Sequence, residues 1–218
     1  MLHIAHRGCI DKENTIDGIL ASFEKFTTVE IDVRYNSSRE IVLCHDREKR
    51  NEKNERFIDL CKIETTMHLL VDIKAFGIAT AEQLARDIVS AVQPYPQHTY
   101  EFCSFNEYCV QELIKLSRNL TPRNKYRVGV ISSGLSVGLF ERLEGLDFVS
   151  FNYDTIHEEI LDKLCGKYTI YAWVCNDDSV KYEMEHRYKL DGIIYDHVSQ
   201  TDSDSVSVSI SKVDIKLY

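Results

Sequence analysis

The sequence predicts a single-domain α/β protein with a (β/α)8 TIM-barrel fold, and three observations support this prediction. Short apolar runs rich in β-branched and aromatic residues alternate with longer amphipathic stretches along nearly the whole chain. The number of principal strands is close to eight, which favours a closed barrel over an open doubly wound sheet. No G-x-G-x-x-G turn follows the first strand, and this weakens the alternative of a dinucleotide-binding sheet.

The elements follow from the apolar pattern taken in chain order. Apolar runs short enough for strands lie at 2–8, 29–35, 40–46, 67–76, 99–105, 126–134, 146–154, 168–176 and 190–196. Amphipathic stretches that predict helices lie at 15–26, 79–95, 106–120, 136–144, 156–164 and 178–188. Asn14 or Thr15 is the expected N-cap of the first helix, and Pro94 and Pro96 end the second. The densely charged residues 47–56 predict a solvated loop.

Composition and charge narrow the class of protein. The 218 residues include 26 Lys and Arg against 35 Asp and Glu, a net charge of −9, so nucleic acid is not the expected partner. The chain contains no apolar run long enough for a transmembrane segment. Met1 leads directly into the first strand, which is expected to leave no room for a signal peptide. The seven cysteines form no C-x-x-C pair, so free thiols in a cytoplasmic protein are expected.

One domain is expected, with the barrel spanning residues 1–200. In the tail, residues 201–218, Val206, Val208 and Ile210 alternate with serines. This pattern predicts either an extra edge strand or a polar terminus. The sequence leaves the oligomeric state open.

Charged residues inside the early strands predict a metal site. Glu30 and Asp32 are two residues apart in one strand and therefore point to the same face, and Asp72 and Lys74 repeat the pattern in the next long strand. If these strands are adjacent, three carboxylates meet at one end of the barrel. Such a cluster suits a hard divalent cation, Mg²⁺ or Ca²⁺, because the ligands are all oxygen atoms. The alternative is a buried salt-bridge cluster satisfied by Arg7 and Lys74.

Two histidines lie beside this cluster in the predicted barrel. His6 ends the first strand, and His45 follows the second. Because imidazole titrates near neutral pH, one histidine can accept a proton while the other donates one. Arg7 and Lys74 supply positive charge close to the predicted metal, a combination that indicates phosphate chemistry.

Short motifs run through the chain in a fixed order. They are HRG at 6–8, ENT at 13–15, E-x-D-V at 30–33, HD at 45–46, D-x-K at 72–74, Trp173 with Asn176, and DGIIYD at 191–196. In this order they resemble the motifs of the glycerophosphodiester phosphodiesterases, a family within the superfamily of barrels similar to phosphatidylinositol phospholipase C. The resemblance spans nearly the whole chain.

The resemblance implies a (β/α)8 barrel that hydrolyses a small-molecule phosphodiester to glycerol 3-phosphate and an alcohol with a divalent cation. The residues implied to bind the metal are Glu30, Asp32 and Asp72. Those implied to act as general base and general acid, in either order, are His6 and His45. Those implied to bind the substrate are Arg7, Lys74 and Trp173. In the implied mechanism the substrate's own glycerol hydroxyl attacks phosphorus, and water then opens the cyclic phosphate.

Two departures from the family pattern keep other functions open. The third carboxylate is Asp72, where these phosphodiesterases usually have Glu, and only 25 residues separate it from Asp46, where they usually carry a longer insertion. Asp at that position is similar to phospholipase D-like enzymes that act on lysophospholipid or sphingolipid headgroups, and the shorter segment would leave a more open mouth that admits such substrates. Against that alternative, the sequence shows no obvious apolar rim. The remaining alternative is a barrel that binds a phosphorylated ligand without catalysis.

Overall fold

Eight parallel strands form the predicted closed barrel in the computed structural model, which describes residues 1–47, 53–118, 126–134, 138 and 142–198. The described part of the sheet has nine strands, which are the eight of the barrel and the edge strand β3. They are β1 (Leu2–Cys9), β2 (Thr28–Tyr35), β3 (Ile41–Leu43), β4 (His68–Ile73), β5 (Thr99–Cys103), β6 (Arg127–Ser132), β7 (Phe148–Asn152), β8 (Thr169–Trp173) and β9 (Gly192–His197). The order around the barrel is β1, β9, β8, β7, β6, β5, β4 and β2, and pairing of β1 with β2 closes it.

The third predicted strand lies outside the barrel that the other eight form. Only Ile41–Leu43 of the expected 40–46 is a strand, β3, and it pairs antiparallel with β2 outside the barrel. Its residues are therefore an edge addition, and the chain leaves β3 towards the barrel mouth at His45.

The helices described by the structure lie between the strands, as the alternating pattern predicts. They are α1 (Ile16–Ser22), α2 (Phe57–Cys61), α3 (Ile78–Val92), α4 (Glu107–Ser117), α5 (Glu158–Leu164) and α6 (Asp178–His186). Thr15 is the N-cap of α1, because its hydroxyl oxygen accepts a hydrogen bond from the Gly18 amide. The sequence pattern did not predict the short helix α2. The predicted helix 136–144 falls mainly outside the described residues, and the tail 201–218 lies entirely outside them.

The core has two layers separated by the barrel wall. Outward-facing residues of the strands, such as Val29 and Ile31 of β2, are fully buried against the surrounding helices. Inward-facing residues, such as Leu70 and Phe148, fill the barrel itself. Gly129 makes room for the Phe148 ring, since a Cβ at that glycine would lie 2.3 Å from a ring carbon.

A buried ion pair closes the amino end of the barrel, away from the predicted site. Glu101 on β5 accepts a hydrogen bond from Arg127 Nη1 at 2.7 Å and one from the Tyr171 hydroxyl at 3.0 Å, and His68 Nε2 lies 3.2 Å away. Burial alone would raise the pKa of Glu101, but the hydrogen bond from His68 and the Arg127 charge lower it. This end of the barrel is therefore held by a satisfied polar layer.

Within the described part of the chain, no helix combines the length and apolar character needed to cross a membrane. All seven cysteines are free thiols, as the sequence predicted.

Candidate active site

Three carboxylates meet at the carboxyl end of the barrel. In the parallel pairing of β2 with β4, Asp32 lies opposite Asp72, and Glu30 lies deeper on the same face of β2. The structure buries all three side chains, and one oxygen atom from each lies within 4.8 Å of the others. The predicted cluster of Glu30, Asp32 and Asp72 is therefore present in the fold.

Two cations contact this carboxylate cluster. Lys74 Nζ lies 3.0 Å from Asp32 Oδ1 and also donates a hydrogen bond to Asp72. Arg7 Nε lies 3.1 Å from Asp32 Oδ2, and the Arg7 backbone amide donates a hydrogen bond to Glu30 Oε2 at 3.0 Å. Three carboxylates against two cations leave one negative charge when every group is ionised, so salt bridges alone do not neutralise the cluster.

The pKa values show how costly three buried negative charges are. Burial, together with the charges of Asp32 and Asp72, raises the pKa of Glu30 well above its usual range. Burial also raises the pKa of Asp72 to about 6, although Lys74 opposes the change. Burial acts in the same direction on Asp32, but Lys74 and Arg7 outweigh it and lower that pKa. Only Asp32 is therefore firmly ionised by its protein partners.

The ligand set fits a hard divalent cation. Asp72 Oδ1 is buried and has no hydrogen-bond partner among the described residues, so one carboxylate lone pair in the cluster is unused. All three candidate ligands offer carboxylate oxygens, which Mg²⁺ and Ca²⁺ prefer. A cation of either kind would neutralise the excess charge and bind the unused oxygen.

Local backbone conformation positions Asp32 and Arg7. Asn14 forms two hydrogen bonds with Asp32. Its Nδ2 donates to Asp32 Oδ2 at 2.8 Å, and its Oδ1 accepts from the Asp32 backbone amide at 2.8 Å. Arg7 and Asn14 both have left-handed backbones, with φ of 55° and 53°. Gly8 follows with φ of 78°, and a Cβ there would lie 3.0 Å from the Gly18 backbone. Non-glycine residues adopt such φ values mainly where surrounding contacts enforce them, as they do here.

His6 is oriented by a carboxylate on the neighbouring strand. His6 Nδ1 lies 2.6 Å from Asp196 Oδ1 at the end of β9, so Nδ1 carries the proton and Nε2 is left as the acceptor. Asn176 fixes that carboxylate, donating from Nδ2 to Asp196 Oδ2 at 2.6 Å. Burial lowers the pKa of His6, although the hydrogen bond that His6 donates to Asp196 opposes the change. The imidazole is therefore held neutral near pH 7 in one orientation.

His45 approaches the same cavity from the loop after β3. Its Nδ1 lies 2.9 Å from Asp46 Oδ1, and its backbone carbonyl accepts a hydrogen bond from Arg34 Nη1 at 2.9 Å. The His45 ring is more exposed than that of His6. The two predicted histidines thus have separate carboxylate partners and different access to solvent.

The predicted site residues line one cavity of about 280 Å³. They are His6, Arg7, Glu30, Asp32, His45, Asp72, Lys74 and Trp173. The Phe105 ring packs edge-on against Trp173, with ring centroids 5.8 Å apart. Trp173 Nε1 is buried and has no hydrogen-bond partner among the described residues, which leaves one indole donor for a ligand.

The expectation that the mouth lacks an apolar rim is wrong. The side chains of Phe76, Ile78, Phe105 and Tyr108 are 57%, 52%, 49% and 45% exposed. All four follow the carboxyl ends of β4 and β5, and Phe105 lines the cavity. Sequence periodicity could not reveal this rim, because each residue is a single apolar side chain in or next to a loop.

Sequence reasoning missed three positioning residues, Asn14, Asn176 and Asp196. All three lie in motifs that carry the family resemblance, but the sequence did not predict a role for them in the site. The position of Asp196 at the carboxyl end of the last barrel strand was a usable signal, since closure of a barrel places that strand beside the first. The part played by Asn14 depends on its left-handed backbone and could not be read from the residue type.

No protein-family model and no curated protein matches the sequence. Solved structures do match the fold. A phosphodiesterase from Oleispira antarctica, solved with the product sn-glycerol 3-phosphate, is 18% identical, with a TM-score of 0.74 over 89% of this chain and 92% of that chain. A glycerophosphodiester phosphodiesterase from Parabacteroides distasonis is 20% identical, with a TM-score of 0.74 over 89% and 92% of the two chains. Another, from Thermotoga maritima, is 19% identical, with a TM-score of 0.70 over 89% and 94%. The chain therefore has the barrel fold of the glycerophosphodiester phosphodiesterases.

Proposed function

We propose that the protein is a metal-dependent glycerophosphodiester phosphodiesterase, which releases glycerol 3-phosphate and an alcohol. The observation that carries the proposal is one cavity that combines a buried carboxylate cluster, two histidines with carboxylate partners, and two cations. The solved neighbours with this fold support it, and one of them binds sn-glycerol 3-phosphate. A cytoplasmic location, which would keep the free thiols reduced, is part of the proposal.

Glu30, Asp32 and Asp72 would hold the divalent cation, Mg²⁺ or Ca²⁺. When bound, such an ion supplies a Lewis acid that draws negative charge from a phosphoryl oxygen and lowers the pKa of a coordinated hydroxyl. The fit rests on the unused Asp72 oxygen and on the one negative charge that the two cations leave uncompensated.

Arg7 and Lys74 bind and orient the phosphate. Arg7 also pairs with Glu13 at 3.0 Å, so the carboxylates of the site exceed its two cations; a divalent cation would offset this excess and leave Arg7 and Lys74 able to bind an anionic diester. Trp173 adds the indole donor and an apolar wall against which the substrate can pack. The residues of the site are therefore complementary to an anionic diester.

The two histidines exchange protons with the substrate. His6 is neutral near pH 7 and accepts the proton of the glycerol 2-hydroxyl at Nε2. The hydroxyl oxygen attacks phosphorus, the bond from phosphorus to the alcohol oxygen breaks, and His45 donates a proton to the leaving alcohol. In the second step His45 takes a proton from water, which opens the cyclic phosphate, and His6 returns its proton to the glycerol oxygen.

Hydrolysis assays with matched histidine variants test the proposal. Purified protein is incubated with glycerophosphocholine and related diesters in Mg²⁺, in Ca²⁺ or in EDTA, and glycerol 3-phosphate is measured. We expect cation-dependent release that His6→Ala or His45→Ala lowers about 10²–10⁴-fold. His3→Ala is the control, because His3 pairs with Glu185 away from the cavity. Turnover that survives both active-site substitutions contradicts the roles proposed for the two histidines. No turnover with any cation contradicts the proposed hydrolysis and leaves a ligand-binding barrel.

A further inference from the structure

The cavity at the carboxyl end of the barrel has a charged half and an uncharged half. Its charged side chains and both histidines come from β1, β2, the end of β4 and the loop after β3. The side chains that β5 to β9 and the residues after them contribute are uncharged, and most of them are apolar. Among the described residues that line the cavity, Ser150 on β7 carries the only hydroxyl group.

The side chain of Ser150 points into the barrel. Its neighbours Val149 and Phe151 belong to the outer layer of the core, whereas Phe148, two residues before it, packs inside the barrel. Ser150 is only 2% exposed, and its hydroxyl has no hydrogen-bond partner among the described residues. Because a buried hydroxyl is normally hydrogen-bonded, a molecule in the cavity is expected to supply the partner of Ser150.

The order of the strands places Ser150 on the side where the glycerol group of the substrate would lie. Strand β1, which carries His6, has β2 on one side and β9, β8 and β7 in succession on the other. His45, the proposed donor to the leaving alcohol, follows β3 on the β2 side. The attacking and leaving oxygens lie roughly in line on phosphorus, so the glycerol and the alcohol extend in opposite directions. With its 2-hydroxyl at His6, the glycerol would lie along the wall that Ile194, Trp173 and Ser150 form.

We propose that Ser150 is a specificity-determining residue whose hydroxyl binds the terminal hydroxyl of the substrate's glycerol group. This inference rests on the proposed function, which supplies the positions of the phosphate and the 2-hydroxyl. In the free protein, solvent in the cavity can satisfy the Ser150 hydroxyl. A glycerol group replaces that solvent with its own hydroxyl, whereas a substrate with a methyl group at this position displaces the solvent and leaves Ser150 unpaired. A site that hydrogen-bonds a substrate hydroxyl rejects the analogue without it for this reason.

Two diesters that differ only in the terminal hydroxyl test the proposal. Glycerophosphocholine is compared with the phosphocholine diester of propane-1,2-diol, which keeps the attacking hydroxyl and has a methyl group in place of the terminal one. We expect the kcat/KM of the wild type to favour the glycerol diester at least about tenfold, and Ser150→Ala to lose most of that preference. No preference in the wild type, or an unchanged preference in Ser150→Ala, overturns the proposal.

Two further variants separate the hydroxyl from general effects of substitution. Ser150→Cys keeps nearly the same volume but offers a much weaker donor, so we expect it to lose most of the preference too. Ser104→Ala is the matched control, because Ser104 is buried at the same end of the barrel but donates to the Ile73 carbonyl and does not line the cavity. It is expected to keep the wild-type preference. An equal loss of preference in Ser104→Ala overturns the proposal, since it would show a general disturbance of the barrel.

Product binding distinguishes failure of this inference from failure of the proposed function. Calorimetry in Mg²⁺ compares the binding of glycerol 3-phosphate with that of propane-1,2-diol 1-phosphate and requires no turnover. We expect the wild type to bind glycerol 3-phosphate at least about tenfold more tightly, and Ser150→Ala to bind the two alike. This result without hydrolysis of either diester supports the role of Ser150 while the proposed function fails. Hydrolysis of both diesters at equal kcat/KM leaves the proposed function standing and overturns the role of Ser150. No hydrolysis, with equal affinities or no binding, overturns both.

Discussion

Replacement of Asp72 by Asn tests whether the buried carboxylate at this position destabilises the folded protein. Burial raises the pKa of Asp72 from the usual 3.8 to about 6. Each pKa unit corresponds to 1.36 kcal/mol, so the ionised carboxylate destabilises the fold by about 3 kcal/mol at pH 7. Asn cannot ionise. Lys74 loses one of its two carboxylate partners in the variant but keeps Asp32, so in EDTA at pH 7 Asp72→Asn is expected to be the more stable protein, by at most about 3 kcal/mol.

The pH dependence of this difference follows from the direction of the change. Because the folded pKa is the higher one, the unfolded chain ionises first as the pH rises. The wild type in EDTA thus loses the roughly 3 kcal/mol between about pH 4 and pH 6, and the two proteins are equally stable near pH 4. For a chain of 218 residues, this loss of stability corresponds to a midpoint of thermal unfolding that is lower by about 6–12 °C.

A divalent cation reduces this difference in stability. Saturation at about 100 times the dissociation constant stabilises the wild type by about 2.7 kcal/mol, and Asp72→Asn gains less because one ligand is gone. The assay is urea unfolding from pH 4 to pH 8 in EDTA, in Mg²⁺ and in Ca²⁺. Asp178→Asn, which removes an exposed carboxylate on α6, is the control. Equal free energies of unfolding for the wild type and Asp72→Asn in EDTA at pH 7, with no difference in either cation, would show that the buried Asp72 carboxylate does not oppose folding.

Three further changes test positioning and packing. Asp196→Asn is expected to lower kcat about 10–100-fold with little change in KM, because the imidazole of His6 loses its fixed tautomer. Steady-state kinetics measures both constants, and an unchanged kcat would contradict the role of Asp196 in orienting His6. Arg127→Met leaves Glu101 buried without its cation and should cost about 3–5 kcal/mol in urea unfolding at pH 7. Because the folded pKa of Glu101 is lowered, that cost shrinks as the pH falls through it. Gly129→Ala places a Cβ against an aromatic ring and should lower stability by about 1–3 kcal/mol, measured by thermal unfolding; no loss would contradict the packing.

The carboxylate cluster was predictable because it depends on periodicity and adjacency. Residues two apart in a strand share a face, so Glu30 and Asp32 had to point together, and neighbouring parallel strands placed Asp72 beside them. The strand count likewise determined the closed barrel. These features need only the hydrophobic pattern and the rule that active groups lie at the carboxyl ends of barrel strands.

Other features depend on contacts that a pattern does not contain. The two hydrogen bonds between Asn14 and Asp32 require a left-handed turn, and β3 lies outside the barrel although its apolar run resembles the others. Exposure of Phe76 and Ile78 is decided by the path of one loop. Sequence reasoning therefore located the charged groups of the site, while the side chains that orient them and the rim around them came from the three-dimensional structure.

Reversible dependence of hydrolysis on a divalent cation would show that the carboxylate cluster binds a catalytic metal. Wild-type protein is treated with EDTA, assayed for release of glycerol 3-phosphate from glycerophosphocholine, and assayed again after Mg²⁺ or Ca²⁺ is restored. We expect EDTA to abolish release and one of the cations to restore it, and we expect Asp72→Asn to need more of that cation than the wild type. Full activity in EDTA would contradict the assignment of Glu30, Asp32 and Asp72 as ligands of a catalytic cation.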